Sequence, residues 1–175
     1  AYMPRYAPAA SRLAPLLNLR NSLPPLAWLG EKLAGFSARR RLPAWRRDAF
    51  RHDQPASGPE GGPDVVLFVD SFNTWFEPEN AHAARRVLAA AGYRVHVARA
   101  PDGGRPLCCG RTFLAAGLVE EARAESGRMI QALKPWVAKG VPVIGLEPSC
   151  LFGLRDEFRA MLPGEDSARL AECAL

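Results

Sequence analysis

Apolar residues fall along this chain in two regimes that meet near residue 64. Beyond that point, short apolar runs alternate with stretches of helical spacing. Residues 65–69 (VVLFV) form a continuous apolar run, the pattern of a strand covered on both faces. Residues 78–91 predict a helix with Ala83, Ala84, Val87 and Leu88 on one face. Pro78 suits its first position, Glu79 its first turn, and Gly92 its stop. Residues 93–98 (YRVHVA) alternate and predict a second strand. A long helix follows over 117–134, with Pro135 and Gly140 marking its end. Residues 141–146 (VPVIGL) predict a third strand, with Pro142 placed early, where a missing N–H costs least. A further helix is predicted over 151–162. Before residue 64 the pattern predicts two short helices, 7–22 and 26–36, with Pro24 and Pro25 as the break. Residues 37–64 turn Arg-rich and then Pro/Gly/Ser-rich, ending PASGPEGGPD, and predict a linker.

Alternating strands and helices imply an α/β fold: a parallel-sheet βαβ (Rossmann-like) domain with an N-terminal helical segment and right-handed crossovers. The expected organisation is a basic helical connector over 1–50, a linker over 51–63 and an α/β domain over 64–175. The connector is expected to pack little against the 64–163 core, and the linker to be open to proteases. Ala1 and Leu175 are expected to be cuts through a longer polypeptide. Sites in parallel sheets gather at the carboxyl ends of the strands. Asp70-Ser71-Phe72-Asn73 follows the first strand here, Cys108-Cys109-Gly110-Arg111 follows the second, and Glu147-Pro148-Ser149-Cys150 follows the third. These groups are expected to converge on one rim, with Glu77 also near it.

Composition narrows the classes. A chain of 175 residues, 48% hydrophobic and 23% charged, fits a globular domain with an appendage and excludes wholesale disorder. It has no run of 18 apolar residues, so no membrane span is expected. The net charge of +5 is uneven, since residues 1–60 carry ten Lys/Arg against four Asp/Glu. Such an excess suits an anionic neighbour. Aromatic residues do not interleave with the Arg cluster as a base-stacking platform would, so no nucleic-acid partner is expected. The four cysteines include an adjacent pair, which argues against a disulfide framework and for a reducing, cytoplasmic setting.

Thiolates suit soft metals and iron–sulfur clusters. Gly110 would let the backbone turn so that Cys108 and Cys109 face one centre, and Arg111 would balance negative charge there. A pair of small buried residues in a tight loop is an equal reading. Cys150 stands where a helix N-terminus would favour its thiolate, and a merely buried cysteine is again the equal reading. Cys173, in a helical tail, reads as structural. His52, His82 and His96 share no ligand spacing and read as non-catalytic. No phosphate loop, dinucleotide fingerprint or nucleophile elbow is present. Three thiolates with Glu147 would also make a small zinc site.

The stretches DSFNTWFEPENAHAARRVLAAAGY, CCGRTFLAAGLVEEAR and GVPVIGLEPSCLFGLRDEF, in that order, resemble the cysteine-rich CCG domain over about residues 64–163. Such domains occur in one of the subunits of heterodisulfide reductase, in the iron–sulfur subunits of anaerobic glycerol-3-phosphate dehydrogenase and glycolate oxidase, and in lactate-utilisation proteins. The resemblance looks closest to fused proteins that join an FAD-binding dehydrogenase, a ferredoxin-like domain and this region. It implies Cys108, Cys109 and Cys150 as metal ligands, with Glu147 standing where the family has a cysteine and Ser71–Phe72 where it has its earliest one. Asn73 and Arg111 are implied as cofactor-binding. It further implies an iron–sulfur cluster, incomplete in this chain, with FAD held by the parent enzyme and not here. The expected partners are the FAD-binding and ferredoxin-like domains, a downstream second CCG module and an electron acceptor. The expected role is electron transfer for an FAD-linked 2-hydroxyacid dehydrogenase, with no catalytic residue in this chain. A degenerate docking scaffold is the alternative.

Overall fold

The computed structural model describes residues 1–175. The N-terminal segment folds as α1 (Met3–Arg12), α2 (Ala14–Asn18), a 3-10 turn and α3 (Pro24–Ala34). The α/β part follows as β1 (Asp64–Phe68), α4 (Ser71–Trp75), α5 (Pro78–Ala90), β2 (Arg94–Val97), α6 (Arg111–Leu114) and α7 (Val119–Val137). It ends with β3 (Val143–Gly145), α8 (Pro148–Arg155), α9 (Glu157–Met161) and α10 (Glu165–Cys173). The predicted α/β fold with N-terminal helices is thus the observed one. Pro24 and Pro25 open α3 rather than break a helix, because the first turn needs no N–H from them.

The sheet is parallel, in the order β2-β1-β3. Alternate residues of the central strand feed two cores. Val66 and Phe68 pack with Met129, Leu133 and Val137 of α7, Leu154 of α8, Phe158 of α9 and Leu170 of α10. Val65, Leu67 and Val69 pack on the other face with Ala81 of α5, Val95, Val97 and Phe50. Both faces are covered, so β1 reads as an unbroken apolar run. Each edge is also met at an isolated bridge. Ser57 exchanges two backbone hydrogen bonds with Val95 of β2, at 3.0 and 2.7 Å. Leu175 donates to the Val143 carbonyl at 2.8 Å and accepts from the Gly145 N–H at 3.2 Å, along β3.

The expectation that residues 1–50 pack little against the core does not hold. Phe50, only 3% exposed, sits inside the β1–β2 core and donates its N–H to the Thr74 carbonyl at 2.9 Å. Trp45 packs at a tilt against Phe76 with ring centres 4.6 Å apart, Tyr2 meets Phe113 edge-on at 5.3 Å, and Ala7 is fully buried. The stretch read as a linker is therefore a strap across the domain. Gly58 shows how closely it lies, because at φ +95° an added Cβ would stand 2.0 Å from the Tyr93 carbonyl oxygen.

His52, in the same strap, has its ring nitrogens 3.4 Å from the Ala98 carbonyl oxygen and 3.1 Å from the Thr74 hydroxyl. Burial holds its imidazole below the ordinary value, against a smaller raising effect of the Ala98 hydrogen bond. An unfolded histidine takes up its proton near pH 6.5, so below about that pH the unfolded chain binds a proton that the folded one resists. Stability is expected to be full above that point and to fall as pH drops from about 7 to about 5. Urea midpoints across that range check it. His52→Gln should flatten the dependence, and an unchanged slope would remove His52 as its source.

Candidate functional site

Strand order places the site. The chain runs from β1 to β2 on one side, then crosses back to β3 on the other. The crevice beyond the carboxyl ends of β1 and β3 is therefore a topological switch point, where α/β sheets hold their ligands. A cavity of about 460 Å³ opens there. Its lining includes Asp70, Asn73, Cys108, Cys109, Arg111, Glu147 and Cys150. The rim expected from sequence thus forms.

Each wall has a local cause. Asp70 caps α4, its buried carboxylate accepting from the N–H groups of Phe72 (2.8 Å) and Asn73 (3.1 Å) and from the Asn73 side-chain amide (2.5 Å). Asn73 in turn accepts from the Asn80 amide at 3.0 Å. Glu147 caps α8, accepting from the Cys150 N–H at 2.7 Å and from the Ser149 hydroxyl. Burial pushes the Glu147 carboxyl up, but the bonds from Ser149 and Cys150 outweigh it and hold the group below its ordinary value. Gly110 adopts φ +78°, and an added Cβ would stand 2.9 Å from the Ala122 carbonyl oxygen. Only glycine turns the chain this close to α7 between the cysteine pair and α6.

The three thiols are neighbours. The sulfurs of Cys109 and Cys150 stand 2.9 Å apart, and Cys108 Sγ accepts the Gly110 N–H at 3.4 Å. The Cys108 thiol is pushed up by its bond with Cys109 and then by burial. At Cys109 the bond with Cys108 favours ionisation, but the Cys150 contact and burial outweigh it and the net shift is upward. A metal bound by these thiols would displace their protons, because only the thiolate ligates. Cys173 packs against the α7–α10 core instead.

The donors fit an iron–sulfur cluster or a soft metal in kind, in convergence and in facing an open cavity. They fall short in number. Three sulfurs are present, Glu147 already caps a helix, and no group of three or more His, Cys, Asp or Glu stands at metal-binding spacing. Cys109 and Cys150 point at each other as a pair, so holding a metal would require both to turn outward.

Asn73 and Arg111 both line the cavity, but each has a protein partner. Asn73 bridges Asp70 and Asn80, and Arg111 pairs with Glu157 of α9. Asn80 and Thr112 also line the cavity, and nothing in the sequence pattern singles them out. Sequence reasoning misses Glu125 as well. Only 1% exposed, it packs beside Gly110 and is held by Arg105, by Arg128 at 3.2 Å and by Arg5 at 3.9 Å. Its place between Ala122 and Met129 on the apolar stripe of α7 is the available signal.

Fold and site together define a parallel α/β domain with a thiol cluster at its switch point. Among characterised proteins, the chain is 28% identical over 153 residues to a subunit of the anaerobic glycerol-3-phosphate dehydrogenase of Escherichia coli strain K12. The same identity holds for the corresponding protein of Escherichia coli O157:H7. The aligned region covers 85% of this chain and 37% of the relative, so the chain spans little more than a third of the proteins it matches. No family model and no solved structure matches it. No helix is long and apolar enough to cross a membrane.

Proposed function

We propose that this chain is an electron-transfer domain of a flavin-linked, iron–sulfur-containing dehydrogenase that acts on a 2-hydroxyacid. One observation carries the reading: Cys108 and Cys109 after β2 and Cys150 after β3 meet at the mouth of one cavity. The similarity to part of a dehydrogenase supports it. In this reading Cys108, Cys109 and Cys150 hold the metal, Glu147 fixes the loop that carries Cys150, and Asn73 and Arg111 border the group. A bound cluster would supply one-electron relay. Substrate oxidation belongs to an FAD-binding neighbour, since side chains alone do not accept hydride. The assignment of residues 64–175 as the first of two modules, with residues 1–63 packed on it as connector and strap, belongs to the same proposal. So do a ferredoxin-like neighbour, a downstream second module that completes the ligands, an electron acceptor and a cytoplasmic setting.

The test is anaerobic mixing of the iron- and sulfide-loaded protein with chemically reduced FMN, followed by visible absorbance. Bleaching is expected, with no oxidation of glycolate or lactate by this chain alone. A loaded protein that reduced FMN leaves unchanged, or one that oxidises either acid unaided, would overturn the proposal. A docking scaffold is the second reading. It is favoured by the commitment of Glu147 to its cap and by the exposed Leu16, Leu29 and Leu33 of α2 and α3.

A further inference from the structure

The same thiols support a second chemistry that needs no metal. We infer that Cys109 and Cys150 are a disulfide-forming pair: in metal-free protein, a small-molecule disulfide converts them to an intrachain crosslink between the β2–α6 loop and α8. Three observations carry this. Their sulfurs are 2.9 Å apart, well inside ordinary sulfur–sulfur contact, so the S–S bond length of about 2.05 Å is reached by a shift of less than about 1 Å. The two thiols both line the cavity but differ in access, because Cys150 is half-buried while Cys109 is only 6% exposed. The cavity, about 460 Å³ and lined by polar groups beside the sulfurs, admits a peptide-sized thiol reagent.

The accessible sulfur reacts first. The Cys150 thiolate attacks one sulfur of the reagent disulfide, forming a mixed disulfide and releasing one reagent thiolate. The Cys109 thiolate then attacks the Cys150 sulfur and expels the second reagent thiolate. Two protein S–H bonds and one reagent S–S bond are lost, and one protein S–S bond and two reagent S–H bonds are formed. The two protons and two electrons pass from the protein to the reagent. Cys108 is the poorer partner for Cys109, because bridging adjacent residues closes a tight, strained ring. The crosslink ties residues 41 positions apart, so it should also raise thermal stability by restricting the unfolded chain.

The experiment treats metal-free protein with oxidised glutathione under anaerobic conditions and counts free thiols. The expected result is a fall from four to two, with a mass loss of about 2 Da, a peptide joining residues 109 and 150, and a higher melting midpoint. Cys150→Ser should abolish the crosslink, and Cys173→Ser should keep it. Stable glutathione adducts without a crosslink, a 108–109 bond, or four unreacted thiols would each overturn the inference. A parallel arm first loads iron and sulfide. If loading fails to block a crosslink that forms in metal-free protein, the electron-transfer reading fails and this inference stands. If the protein loads iron but never crosslinks when metal-free, the reverse holds.

Discussion

Replacing Cys109 by serine is expected to weaken apparent iron affinity on anaerobic reconstitution by tenfold or more, about 1.4 kcal/mol per decade. Cys109 is the middle of the site. It touches Cys150, adjoins Cys108 in sequence and lies almost fully buried, so its loss removes one sulfur and leaves the other two without a shared centre. A serine hydroxyl is a hard, weakly acidic donor where soft thiolate ligation is required. Cys173→Ser should leave iron unchanged, because that thiol, at the end of α10, packs against the core away from the cavity. Iron analysis and visible spectra of the two variants check this. Equal loading in wild type and Cys109→Ser would make these cysteines structural.

Glu125→Ala is expected to cost about 2–4 kcal/mol of folding stability, read as a lower urea midpoint. The carboxylate is buried against Gly110 and gathers guanidinium groups from α1, the loop before the cysteine pair and α7 itself. Removing it leaves Arg105 and Arg128, each about a quarter exposed, as like charges side by side. Their partial access to water places the cost at the lower part of the range for a broken buried pair. Glu125→Gln keeps the shape and one acceptor and should lose less. A change below about 0.5 kcal/mol would mean that water already screens the cluster. Because Arg105 and Gly110 flank Cys108 and Cys109, the Ala variant should also loosen the thiol site.

Much of the fold is legible in the residue pattern. The three strands announce themselves because a doubly covered β1 must be continuously apolar and because Val95 and Val97 alternate. The rim follows from topology, since groups after parallel strands share an edge. The short helices α4 and α6 do not show, because five and four residues are too few to display a period. The predicted helix 151–162 is two helices, α8 and α9, that meet at Asp156. The first begins at Pro148, because Glu147 caps it. Capping also explains why Glu147, read from sequence as a ligand, has a structural duty. The strap is hidden because Phe50 is one buried aromatic within an Arg-rich stretch, and composition reports the stretch rather than the residue. The Cys109–Cys150 contact depends on loop geometry and side-chain rotamers, which no spacing encodes.

The central claim is that the thiols of Cys108, Cys109 and Cys150 form one iron–sulfur-type electron-transfer site. Its most direct test is the iron, acid-labile sulfide and zinc content of protein purified and reconstituted without oxygen. The account predicts iron and sulfide together, partial in this chain and higher when a downstream cysteine-rich module is joined to it, with little zinc. Zinc without sulfide would point to the small zinc site, and no metal in either form would contradict the account and leave the docking scaffold in its place.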